Sequence, residues 1–167
     1  MTQEDKDKLI LQFKIIRDSF FSNYVLAKDK QLLLEDLTAR LFYGVKVTTI
    51  NPAAEFGIIS GISIEGKISV RTKDADIVFR CTEVKPYLRS MSSMTKEELF
   101  EVQNIIGIGV EIRDVFFNIV DSTIKSLSYA EIQAVFDWLN KNMFDYRGLI
   151  PKGLAIEVTK ENNPYEN

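Results

Sequence analysis

The chain has 167 residues, 46% of them hydrophobic and 27% charged, with one cysteine, no histidine and a formal net charge of −3. That length suits one compact domain, or a small core with an appendage, and the apolar fraction excludes wholesale disorder. The missing imidazole excludes His-based triads, His-ligated zinc and the usual proton shuttle at neutral pH, and a single thiol excludes an intrachain disulfide.

Residues 1–10 are too charged for a signal peptide, and no apolar run reaches the roughly 18 residues that a membrane helix needs. The expectation is a cytoplasmic protein with no membrane partner. A pI near 5.1 argues against a generally nucleic-acid-coating surface.

In chain order, Leu9, Phe13, Ile16, Phe20 and Tyr24 recur at steps of three and four, the period of a helix face. Ile10, Ile15 and Phe21 widen that stripe enough to predict self-association through this helix. A second helix is expected from about Asp29 to Phe42, with Leu33, Leu34, Leu37 and Leu41 inward and Gly44 ending it in the left-handed region.

From Val45 the period falls to two. Strands are expected at Val45–Thr49, Phe56–Ile64, Lys67–Thr72 and Ile77–Cys81, with a short extended piece near Val84 closing the set before Pro86. Glu65-Gly66 and Lys73–Asp76 supply turns. Short strands this closely spaced suggest a small SH3-like β-barrel.

Thr95 and Glu98 have capping-box spacing and predict a helix over roughly 96–105. The β-branched and aromatic residues of 105–125 predict two strands. Ser128 caps a helix whose buried face is Ile132, Val135, Phe136, Leu139 and Met143, and Leu154, Ile156 and Val158 alternate as a final strand.

The expected class is therefore α+β: an N-terminal helical hairpin (1–44), a small SH3-like barrel (45–90), a C-terminal α/β element packed on it (91–160) and a flexible polar tail (161–167).

Three segments then carry a resemblance: LLLEDLTARLFYGVKV (Leu32–Val47), VKPYLRSMSSMTKEE (Val84–Glu98) and DWLNKNMFDYRGLIPKGLAIE (Asp137–Glu157). Together they resemble a family of small proteins from phages and prophages of gut Bacteroidetes-type bacteria. The resemblance implies a phage or prophage setting inside the host cytoplasm, and brings no activity, cofactor or ligand set with it. Many relatives carry a His-His pair where this chain has Asn142-Met143, so imidazole chemistry cannot operate here. Relatives also often have Pro at the positions of Phe42 or Ser90.

Two segments are candidate binding sites. Phe144, Asp145, Tyr146 and Arg147 follow a helix and precede Pro151, and such a mixture can stack on a planar ligand or hold a partner peptide. The plainer alternative pairs Asp145 and Arg147 locally while Phe144 and Tyr146 seal the core. Arg80, Lys85, Tyr87 and Arg89 form a locally basic run with an interleaved aromatic, which Lys67, Arg71 and Lys73 can join. Its alternative is a solvated strand edge guarded by cations.

Cys81 reads as a small buried hydrophobe, Asp74 and Asp76 as turn residues, Glu97 and Glu98 as helix-start charges, and Phe136 and Trp138 as core. Gly107 and Gly109 fall short of a dinucleotide fingerprint. No cofactor or metal is expected. These readings point to a non-catalytic binding protein that occupies the surface of a host component. The alternative is a protein that sequesters a small nucleotide signal of antiphage defence, and an enzyme working through carboxylates and tyrosines alone is the least favoured reading.

Overall fold

Leu33 and Leu37 stand one turn apart, and the helix they predict is observed over 25–40 in the computed structural model, which describes residues 25–52, 55–106 and 128–166. This helix, α1, tightens into a 3-10 turn at Leu41–Tyr43 and stops at Gly44, whose φ of 69° is the left-handed conformation that favours glycine. The expected first helix, its association surface and the two strands expected within 105–125 fall almost wholly outside the described residues.

Five strands follow where the alternation places them: β1 (Lys46–Thr49), β2 (Phe56–Ile62), β3 (Lys67–Arg71), β4 (Asp76–Arg80) and β5 (Val84–Leu88). β5 does not stop before Pro86 but runs through it. The next strand over, β6 (Ile156–Glu157), pairs only Tyr87 and Leu88, so β5 has an open flank at Pro86, where a missing N–H leaves no ladder bond unmade.

The sheet order is β4-β3-β2-β1-β5-β6. Neighbours are antiparallel except β5 and β6, which are parallel. The class is α+β as expected, but the sheet is open: among the described residues β4 and β6 are its two edges, where an SH3-like barrel would join them.

β2 carries a bulge between Ile59 and Gly61. At Gly57 the neighbouring strand comes so close that a Cβ would lie 2.3 Å from Val70 Cγ1 and 2.8 Å from Arg71 O, which only glycine accommodates.

One face of the sheet is the core. Val45, Val47, Ile59, Ile68, Val70, Phe79 and Leu88 pack there with Leu33 and Leu37 of α1. A second cluster forms where α2 (Lys96–Ile106) meets α3 (Tyr129–Lys141), with Val102, Ile106, Val135, Leu139 and Phe144 at its centre. Both helices begin as the sequence predicts. Thr95 and Glu98 exchange side chain-to-backbone bonds of 3.2 and 2.9 Å, and Ser128 and Glu131 do the same at 3.3 and 2.6 Å.

Arg40 joins the two clusters. Its guanidinium and the Asp36 carboxylate are both 0% exposed and pair through two bonds of 2.8 and 2.9 Å. The remaining donors go to the carbonyls of Phe144 (2.7 Å), Leu139 and Asn140 (both 3.4 Å). These carbonyls close α3, so one buried arginine pins the C-terminal end of that helix to α1.

Residues 161–167 were expected to be flexible. In the structure Tyr165 is half-buried: its hydroxyl donates to Tyr87 O at 2.9 Å and accepts from Lys46 N at 3.1 Å. Burial pushes that hydroxyl up to about 12.

Candidate functional site

The Phe144–Arg147 corner is spent on structure. Phe144 is fully buried, stacked on Trp138 at 5.6 Å and covered by the Arg89 guanidinium 4.2 Å from its ring centre. The buried Asp145 carboxylate accepts Leu149 N–H at 2.8 Å and Ile150 N–H at 2.7 Å, holding the following turn.

Tyr146 packs on Phe136 and donates to Asn140 Oδ1 at 3.1 Å, while Arg147 Nε donates to the same tyrosine hydroxyl at 3.1 Å. Arg147 also lies 3.6 Å from Asp36 and 3.7 Å from Glu35. It edges a shallow hollow on α1, but its charge is met by those two carboxylates. The carboxylates beside Arg147 come from α1 and not from Asp145.

The basic run divides. Arg89 turns toward α2, where Glu98 takes it in two bonds of 2.6 and 2.9 Å. Hydrogen bonding from Arg89 is the main reason the Glu98 carboxyl is held below its usual range. Arg80 stands exposed on the edge strand β4. Lys85 and Tyr87 lie on the sheet face opposite the core, where Tyr87 is buried and stacks on Phe56 at 6.0 Å. Burial raises the Tyr87 hydroxyl, so that ring stays neutral. Burial likewise raises the Cys81 thiol, which packs in the core cluster.

What the sequence reading missed is a groove of about 880 Å³ beside this outer face. Its floor is Phe56, Gly57 and Ile58 of β2. One wall is Arg71, Thr72 and Lys73 at the end of β3, and the other is the segment Lys160–Pro164 with Glu166.

Strand register explains how these residues meet. Lys46 pairs with Ile58, and Ile58 with Arg71, so an apolar residue stands between two cations across three strands. Tyr165 holds the far wall in place, and Lys46 Nζ donates to the Pro164 carbonyl while lying 5.6 Å from the Tyr165 ring centre. Phe56 is 56% exposed despite its size.

Four cations therefore rim the groove, Lys46, Arg71, Lys73 and Lys160, against two carboxylates, Glu161 and Glu166. That local balance is opposite in sign to the whole chain. Arg71 and Lys73 were legible as possible members of a basic surface. Lys46, Phe56 and Lys160 were not, because only strand pairing and the docked segment bring them together.

Among the described residues no group of His, Cys, Asp or Glu is placed to hold a metal, and no helix is long and apolar enough to cross a membrane. Among the same residues no buried side-chain polar atom lacks a partner. No protein-family model, curated protein or solved structure matches the chain.

Proposed function

We propose that the protein is a non-catalytic binding protein that holds a small anionic ligand with a planar body in the groove, a nucleotide being the chemistry that fits best. The observation that carries this reading is the exposed Phe56 ring set among Lys46, Arg71, Lys73 and Lys160. An aromatic face can stack on a base, and lysine and arginine can neutralise phosphate. The volume lies within the usual range for small-molecule sites.

The non-catalytic part has separate support. The chain has no histidine, and the buried Asp36, Asp145 and Arg40 serve folding contacts. In the phage setting that the sequence resemblance implies, such a site would sequester a nucleotide signal of host defence.

The test is a thermal shift against mono-, di- and cyclic nucleotides. A ligand at about 100 times its dissociation constant stabilises the fold by about 2.7 kcal/mol, which raises Tm by about 5–11 °C for a chain of this size. Lys73→Glu should abolish the shift while leaving the unliganded Tm nearly unchanged, and Phe56→Ala should abolish it at a cost of about 0.5–1.5 kcal/mol to the unliganded fold, since it also removes the stacking on Tyr87. No shift across the panel refutes the ligand.

A macromolecular host partner is the second reading. It is favoured by Phe42, which stands 92% exposed beside Tyr43 in the 3-10 turn after α1. Here Phe42→Ala should abolish capture of one dominant host protein, and nucleotides should leave Tm unchanged.

A further inference from the structure

Among the described residues β4 is an edge strand guarded only by the charges at its two ends, Asp76 and Arg80. Its ladder with β3 pairs all five residues, Lys67↔Arg80 through Arg71↔Asp76, with no bulge. The strand holds no proline or lysine, and among the described residues no other strand pairs with its outer side. Val78, at its centre, is 60% exposed on the face away from the core.

The sequence of this edge, Asp-Ile-Val-Phe-Arg, is complementary to itself in reverse. Antiparallel pairing with an identical strand, centred on Val78, places Asp76 opposite Arg80, Ile77 opposite Phe79 and Val78 beside its own copy. Opposite charges then face each other at both ends, and apolar residues meet between them.

The charges within one chain favour the same arrangement. Across the β3–β4 ladder Arg80 faces Lys67, like charge against like, and no carboxylate among the described residues forms an ion pair with it. Asp76, by contrast, lies 3.3 Å from Arg71 on an open surface, with its side chain 53% exposed. A second copy would supply Arg80 with the carboxylate its own sheet lacks.

We propose that two copies of this chain associate through β4, antiparallel and about a two-fold axis, so that the two sheets become one. The contact is isologous, because each copy gives and receives the same pair. It borders the groove, since Asp76 also lies 3.3 Å from Arg71 on the groove wall.

The experiment uses charge reversal and measures mass by sedimentation over a concentration series. The wild-type chain should show a monomer–dimer equilibrium. Asp76→Arg alone and Arg80→Asp alone each create two like-charge pairs and should weaken the dimer by about 10–100-fold. The double variant Asp76→Arg/Arg80→Asp restores both pairs and should recover the dimer.

An equimolar mixture of the two single variants should form heterodimers, read by native mass spectrometry, at concentrations where each variant alone is largely monomeric. Val78→Lys, at an exposed position, serves as an independent variant that should be monomeric. A wild-type chain that stays monomeric, single variants with unchanged dissociation, or a mixture that forms no heterodimer each overturns the proposal.

Discussion

Replacing Arg40 by methionine keeps most of the aliphatic volume and removes the guanidinium. Asp36, fully buried, then loses both of its 2.8 and 2.9 Å bonds, and the Phe144 carbonyl loses its 2.7 Å donor. Removing one partner of a buried ion pair costs about 3–5 kcal/mol, and an orphaned buried acceptor about 1–3 kcal/mol more. Arg147, 3.6 Å from Asp36, offsets part of the first loss. The expected total is about 3–6 kcal/mol, a large share of the stability of a domain this size.

The partner change, Asp36→Leu, leaves Arg40 buried but still bonded to three carbonyls, so it should cost less, about 2–4 kcal/mol. The double variant abolishes the uncompensated charge and leaves chiefly the orphaned carbonyl. It should therefore sit within about 2–3 kcal/mol of the parent rather than at the sum of the singles. Urea unfolding followed by far-UV circular dichroism gives all four corners of this cycle. Additive singles, or an Arg40→Met cost below about 1 kcal/mol, would refute the claim that this pair pins α3 to α1.

Asp145→Ala strips the acceptor from two backbone N–H groups at once and should cost about 2–4 kcal/mol in the same assay, with Asp145→Asn recovering part of it. Glu98 titrates below its usual 4.5 in the folded chain, so its contribution is complete above that value and is lost as pH falls through the lower folded value. Glu98→Gln should flatten the urea midpoint against pH below about 4.5, and an unchanged acid limb would show that the Arg89 contact contributes nothing.

Tyr165 is the opposite case. With its hydroxyl raised from 10.0 to about 12, its stabilisation is full below pH 10 and is lost as pH rises through 12. Tyr165→Phe should cost about 1–2 kcal/mol at neutral pH for the two lost bonds and remove the loss of stability between pH 10 and 12.

Much of the local structure was legible because it depends on neighbours in sequence. The alternation in Lys67–Arg71, the Thr95 and Ser128 caps and the stop at Gly44 are each decided within a few residues. The open sheet was not, because closure depends on what flanks β5, and that strand comes from Ile156–Glu157, joined in parallel across both helices.

Arg40 did leave a signal. Leu33, Asp36, Leu37 and Arg40 share the i, i+3, i+4, i+7 spacing of one helix face, so an acid and a base four apart lay on an otherwise apolar stripe. A reading that sorts residues by hydropathy assigns such charges to solvent. The groove left no such signal, since Lys46, Phe56 and Lys160 meet only through register and the anchoring of Tyr165.

The parallel joining of β5 and β6 also bears on how the chain emerges from the ribosome. β6 pairs with β5 through Ile156 opposite Tyr87, 69 residues away, so β5 is made long before the strand that covers it. At synthesis rates of about 5–20 residues per second, the gap lasts about 3–14 s. During that time a strand carrying Val84, Tyr87 and Leu88 offers an open flank to other nascent chains. Pro86 sits in the middle of that flank and cannot donate to an intruding strand. The proline that breaks the rule for an interior strand is thus suited to protecting this one while its permanent neighbour is still being translated.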